Sequence, residues 1–235
     1  MDPSGPDGHG GPHVFVRDLS EPRLDRSDHH HLANVLRLRE GDALTIGDGA
    51  GRWRLASFRA DPEVGPALEG GVVEVPAPHR QVTVGFSLIK GGRPELVVQK
   101  LTELGVDRII PLAADRSVVR WCDAKAATNL DRLRRVAREA AMQSRRGRLP
   151  NLDAMVRPND VPDGPRVAIA ESGGGPLSDE IEVLLVGPEG GWTASELEGR
   201  KTVGLGSTVL RAETAAIAAA SLLVALRDGR LSPAV

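Results

Sequence analysis

The stretch LLVGPEGGWTASELE, residues 184–198, decides the fold. An apolar run stops on Gly187, two further glycines follow at 190 and 191, and Thr193-Ala194-Ser195-Glu196 has the form of a capping box that opens a helix. Glycines lack Cβ atoms, so the backbone there can take positive φ and come close to a bound ligand. A strand that ends in a Gly-rich loop before a capped helix is where open α/β sheets bind ligands, at the carboxyl ends of the strands.

A second loop of this kind follows in GLGSTVLRAETAAIAAASLLVAL (204–226). Gly206 ends a strand, Leu210 to Thr214 form a polar corner, and Glu213 and Thr214 fall in the first turn of the next helix. An acid there also suits the helix dipole, so Glu213 has a purely structural reading as well. Neither loop is a phosphate-binding GxxxxGK[ST] motif. GLGSTV is no dinucleotide fingerprint either, because Val209 replaces its third small residue and no acid follows at the ribose-binding distance. A nucleotide-dependent oxidoreductase is thereby disfavoured.

Working outward, strands alternate with helices from residue 79 onward. VTVGFSLI (82–89), RIIPLAA (108–114), RVAIA (166–170), EVLLVG (182–187) and TVGLG (202–206) read as strands. Helices are expected after Pro94 with Gly105 as the stop, over 128–144, at 193–199 and from Ala212 to Arg227. This alternation predicts an α/β domain with a mostly parallel sheet over 79–235. Before it, HVFV (13–16), ALTIGD (43–48), RWRLASF (52–58) and GGVVEV (70–75) predict a small β-barrel over 13–78. DHHHLANVLRLREGD forms a helix within it, and VPAPHR makes the linker. Residues 1–12 read as a disordered leader.

The chain has 235 residues, 40% hydrophobic and 26% charged, which is ordinary for a globular protein. Aromatic residues are only 3% with no Tyr, which argues against an RNA platform of stacked rings. Cys122 is the only cysteine, so no intrachain disulfide and no cysteine-based zinc site is possible, and a reducing cytoplasm fits. No apolar run approaches the ~18 residues of a membrane span, so no membrane partner is expected. His29, His30 and His31 are adjacent, and adjacent helical residues face different ways, so no metal site is expected. Between Asp131 and Arg148 lie arginines 132, 134, 135, 138, 145, 146 and 148 against the acids Asp131 and Glu139. Taken alone, this stretch fits a solvated helix face or a phosphate contact.

VGPEGGWTASELE followed by LGSTVLRAETAA, with KGGRPELVVQKLTELGVDRIIPL, DRSVV and AAMQSRRGRLP upstream, resembles the RsmE family of 16S ribosomal RNA uridine-N3 methyltransferases. These belong to the SPOUT class. HHHLANVLRLREGDALTIGDGAG likewise resembles that family's PUA-like RNA-binding barrel. The resemblance spans roughly residues 13–230. It implies a trefoil-knotted C-terminal domain that binds S-adenosyl-L-methionine, a homodimer, and 16S ribosomal RNA or the small ribosomal subunit as partner.

The motif matches assign the cofactor to Leu185, Gly187, Pro188, Glu189, Gly190, Leu205, Gly206, Leu210, Glu213 and Thr214. Arg211 and Arg116 are the catalytic candidates, as cations able to stabilise a uridine anion, and Lys90, Arg93, Gln143, Ser144, Arg145 and Arg146 are the RNA contacts. Two departures from the family pattern stand out. Met142 occupies a position where an acid is usual, and the segment between the two loops is short. The final helix, with Ile217, Leu222, Leu223 and Leu226 among alanines, has apolar surface wider than one stripe. That pattern fits burial within its own domain or the subunit interface that the resemblance implies.

Overall fold

The structure is a computed structural model that describes residue 6 and residues 10–91, 93–121 and 123–232. Contacts divide the chain into two compact units, residues 1–78 with 138–149, and residues 79–137 with 150–235. The first unit thus takes in residues 138–149 of the basic stretch, well separated in sequence from its other residues. Most of the expected leader, at 1–5 and 7–9, lies outside the described residues, as does Cys122. Its last residues are tied down: the Pro12 carbonyl accepts from the Thr45 amide at 2.9 Å.

In the first unit, β1 (His13–Phe15), α1 (Arg26–His30), β2 (Ala43–Gly47), β3 (Arg52–Ser57) and β4 (Ala67–Glu74) follow one another. The expected helix around the histidines is α1, continued by one π-helical turn over His31–Val35. The strands form one sheet in the order β1-β2-β3-β4, with β1 parallel to β2 and the remaining pairs antiparallel. Val14, Leu32, Leu44, Ile46, Ala56 and Phe58 make its core, with Met142 packed against it. The departure at Met142 is therefore an apolar packing residue of this unit.

The basic stretch supplies anchors here, through a helix over Asp123–Gln143 that is numbered α3 below. Arg138 grips Asp28 with both nitrogens, at 3.0 and 2.5 Å, and donates to the Phe15 carbonyl at 3.0 Å. This carboxylate partner raises the Arg138 pKa. The helix ends in a Schellman turn: the Arg146 amide donates to Ala141 at 2.9 Å and the Arg145 amide to Met142 at 3.2 Å. Arg145 takes the left-handed position, φ 53°, where glycine is usual. Its guanidinium donates to the Gly11 carbonyl, and that of Arg148 to Val75 at 2.8 Å.

The second unit contains β5 (Thr83–Ser87), α2 (Arg93–Leu104), β6 (Arg108–Leu112), the first two thirds of α3, β7 (Asn151–Leu152), β8 (Val167–Gly175), β9 (Val183–Val186), α4 (Ala194–Leu197), β10 (Thr202–Val203) and α5 (Ala212–Arg227). Gly105, at φ 98°, ends α2 as its sequence position requires. The sheet runs β10-β8-β9-β5-β6-β7 with every pair parallel. Side chains alternate between its faces: Leu184 and Val186 join one core with Val84, Phe86 and Ile109, while Leu185 joins the other with Ile110, Leu112 and Ile169.

Two readings needed revision. β8 extends to Gly175, through glycines that look like loop, because a Cβ at Gly174 would lie 2.6 Å from the Val203 backbone of β10, so only glycine allows that approach. The two-residue β7 carries too little pattern to be seen.

Candidate functional site

All six strands share one direction, so their following loops emerge at one edge. From β5 the chain crosses toward β6, and from the adjacent β9 it crosses the other way to β10. Such a reversal between neighbouring strands opens a crevice at their carboxyl ends. The loop after β9 is Gly187–Trp192, the loop after β5 leads to Arg93, and the loop after β6 carries Arg116. A cavity of about 450 Å³ in this unit lies at the opposite edge. It is lined by His79, Arg80, Arg166, Asp179, Glu180 and Glu182, and none of the motif residues reaches it.

Arg93 joins the two motif loops. Its Nη1 lies 3.4 Å from Glu189 of the first and 3.4 Å from Glu213 of the second. The residue expected to meet RNA phosphate is thus engaged by two carboxylates of its own chain. Glu213 sits in the first turn of α5 with Oε2 buried and without a hydrogen-bond partner. A buried acceptor left open in this way needs a donor, from water or from a ligand. Leu205 and Leu210 are half-buried, whereas Gly206 and Thr214 are exposed.

Of the three glycines in GPEGG, only Gly191 has positive φ, at 69°. At Gly187 a Cβ would meet the Trp192 ring at 2.7 Å, so packing against that ring by itself requires a glycine there. Trp192 is buried and donates from Nε1 to the Ala170 carbonyl at 3.0 Å. Gly190 has Arg116 beneath it, with a built Cβ only 3.2 Å from the Arg116 Cβ, and its carbonyl accepts from Arg116 Nη1 at 3.2 Å. Leu185 is fully buried in the second core, so its side chain cannot line a pocket. Pro188 is half-buried and Glu189 exposed.

Arg211, at the N-cap of α5, is exposed, as is Lys90. Gln143 is exposed, and the Ser144 hydroxyl donates to the Ala140 carbonyl at 2.7 Å. The three histidines diverge: His29 Nε2 lies 3.1 Å from the Arg59 carbonyl, His30 pairs with Asn34, and His31 is exposed.

Glu196 was visible in the sequence only as a capping residue. It is 2% exposed and accepts from the Thr193 amide at 2.8 Å, the Thr193 hydroxyl at 2.9 Å and the Asp115 amide at 3.0 Å. The last of these partners is 81 positions away, and no local pattern encodes it.

Residues 76–224 match the RNA methyltransferase domain family, and residues 24–60 the RNA methyltransferase PUA domain. Ribosomal RNA small subunit methyltransferase E of Mycobacterium tuberculosis is 34% identical over 219 residues, covering 83% of each chain. The chain belongs to the RsmE family. Two solved structures resemble this RsmE member over nearly their whole length. A putative methyltransferase from Legionella pneumophila in complex with the bound cofactor SAM has a TM-score of 0.80 at 28% identity, covering 92% of this chain and 98% of that one. An RsmE from Neisseria gonorrhoeae bound to S-adenosyl methionine has a TM-score of 0.78 at 26% identity, with the same coverage.

Proposed function

We propose that this protein transfers a methyl group from S-adenosyl-L-methionine to N3 of a uridine in 16S ribosomal RNA of the small ribosomal subunit. The observation that carries the reading is the pair of motif loops joined through Arg93 at the switch point of a parallel sheet, in a chain of the RsmE family.

The residues present fit that cofactor. The open acceptor of Glu213 suits an amino donor, Leu205 and Leu210 offer apolar flanks to an adenine ring, and the backbone of Gly187–Gly190 and Gly206 provides polar groups along the crevice. When bound, S-adenosyl-L-methionine supplies a methyl on a sulfonium sulfur, which leaves with the bonding pair as a neutral thioether. The work of this chain is to hold the uridine and accommodate its charge. N3 gives up its proton to solvent before its lone pair attacks the methyl, and the resulting negative charge spreads onto the flanking carbonyl oxygens. Arg211 and Arg116 supply positive charge for that anion, the kind of fixed electrostatic help that counts most where water is excluded. Because N3 is paired or stacked in folded RNA, the base must be extruded to be reached.

Lys90, Gln143, Ser144 and Arg146 are the RNA contacts of this reading. Arg93, between Glu189 and Glu213, and Arg145, on the Gly11 carbonyl, hold loops and backbone in place. Helix α5 buries Ala212, Ala216, Ala219, Ala220 and Leu223 in its own domain and leaves Ile217, Leu222 and Leu226 partly exposed. That second apolar face supports a homodimer. Among the described residues no helix is long and apolar enough to cross a membrane, and ribosomal RNA as substrate puts the protein in the cytoplasm.

The test is to map N3-methyluridine in 16S RNA from cells with and without the gene, and to repeat the transfer with purified protein and small subunits. A modification unchanged by loss of the gene, with no transfer in vitro, refutes the function.

A further inference from the structure

We infer that Glu196 and Ser117 are positioning residues that act through Arg116, fixing it against the first Gly-rich loop for methyl transfer. This rests on the role proposed for Arg116 above.

The loop after β6 is pinned on both sides of Arg116. On one side the Asp115 amide donates to Oε1 of Glu196 at 3.0 Å. On the other, the Ser117 hydroxyl, 6% exposed, reaches the Leu88 carbonyl at 3.0 Å and the Val119 carbonyl at 3.1 Å. Between these anchors Arg116 lies under Gly190 and donates to its carbonyl. The Glu196 carboxylate also closes the N-terminus of α4 through its other oxygen, which takes the amide and hydroxyl of Thr193. One buried group thus joins the strand-end loop bearing the cation to the loop bearing GPEGG. A helix cap needs only the second half of this arrangement. The bond to Asp115 adds nothing to α4 and orients only the segment that carries Arg116.

Glu196→Gln separates the two functions. An amide has one acceptor oxygen, and it is held best where two donors converge, at Thr193. The NH₂ group then faces the Asp115 amide, donor against donor, so the loop link opens while the cap stays closed. With the wild-type chain and small subunits, Glu196→Gln should stay folded with a thermal midpoint lowered by only a few degrees, keep its S-adenosyl-L-methionine affinity, and lose about tenfold or more in kcat, in line with the cost of misplacing a reacting-site group by an ångström. Ser117→Ala, which releases the other anchor, should behave alike. Each should be non-additive with Arg116→Ala: the doubles should be no slower than Arg116→Ala alone, since a misplaced side chain that is absent costs nothing further.

If Glu196→Gln fails to fold, the Ser117→Ala cycle decides. Additive losses in kcat, or full kcat in the single variants, overturn the inference. So does full kcat in Arg116→Ala, which removes the role that the anchors serve. A wild-type chain without transfer activity refutes the proposed function and the inference together, whereas an active wild type with additive cycles refutes the inference alone.

Discussion

Replacing Gly187 with alanine tests what that glycine is for. The new Cβ would lie 2.7 Å from Cε2 and 2.9 Å from Nε1 of Trp192, so ring or loop must retreat by about 0.7 Å to reach an ordinary 3.4 Å contact. The ring has little room, being 5% exposed among Ile110, Leu112 and Leu185. Overpacking of this kind costs about 1–3 kcal/mol. Stretching the Trp192 bond to the Ala170 carbonyl, now 3.0 Å, adds about 1 kcal/mol. Gly187→Ala should therefore lose roughly 2–4 kcal/mol of unfolding free energy by those two contributions. A loop displaced by most of an ångström should also weaken S-adenosyl-L-methionine binding. Trp192→Leu removes Cε2 and Nε1, the two atoms that the Cβ would approach most closely, so the double variant should be no less stable than Trp192→Leu alone. Urea unfolding and titration calorimetry on the three variants measure both effects. If Gly187→Ala keeps wild-type stability but loses affinity, and Trp192→Leu brings no relief, the glycine serves the ligand and the packing argument is wrong.

Burial, with the Arg145 charge nearby, lowers the His13 pKa from 6.5 to about 4. The unfolded chain therefore binds the extra proton first. This share of stability is full above pH 6.5 and is lost as pH falls toward 4, about 3 kcal/mol in all. Subtracting the pH dependence of urea unfolding in His13→Phe from that of the wild type should reveal it, and a flat difference would refute it. Arg93→Ala should change stability by less than about 1 kcal/mol, its ion pairs being partly exposed. It should nevertheless weaken S-adenosyl-L-methionine binding severalfold by calorimetry as the two loops part, and unchanged affinity would count against the loop-joining role. Leu222→Glu, on the outer face of α5, should yield folded monomers in sedimentation with reduced methyl transfer. A wild type that sediments as a fully active monomer at micromolar concentration rules out that interface. Leu223→Glu should instead prevent folding, because Leu223 is 1% exposed in the core of its own domain.

Periodicity located the longer elements because each buries a regular face: Val97 and Leu101 on α2, alternating faces on β9, and the Thr193–Glu196 cap before α4. Features set by distant partners were not legible. The arginines of α3 and of its C-terminal turn look alike in sequence, yet Arg138 meets Asp28, Arg132 meets Glu95 and Arg145 meets the Gly11 carbonyl. Residues 138–149 belong with the N-terminal unit because of such contacts, which no local composition marks. At the site, the motifs located both loops but not the purpose of each member. The alternation of β9 already implied that Leu185 points away from Leu184 and Val186. The glycines of the loop suggest space for a ligand, yet at Gly187 the position of a side chain is filled by a tryptophan five positions on.

The seat of that tryptophan has an optical consequence. An indole held between a glycine and a backbone carbonyl, inside the loop that closes one side of the crevice, emits according to how dry and how rigid its surroundings are. The sequence contains two other tryptophans, Trp53 and Trp121, whose replacement by phenylalanine would leave Trp192 as the single emitter. Such a protein would carry its own gauge of loop order, so that the arrival of a cofactor and the departure of its demethylated product could be timed without any attached dye.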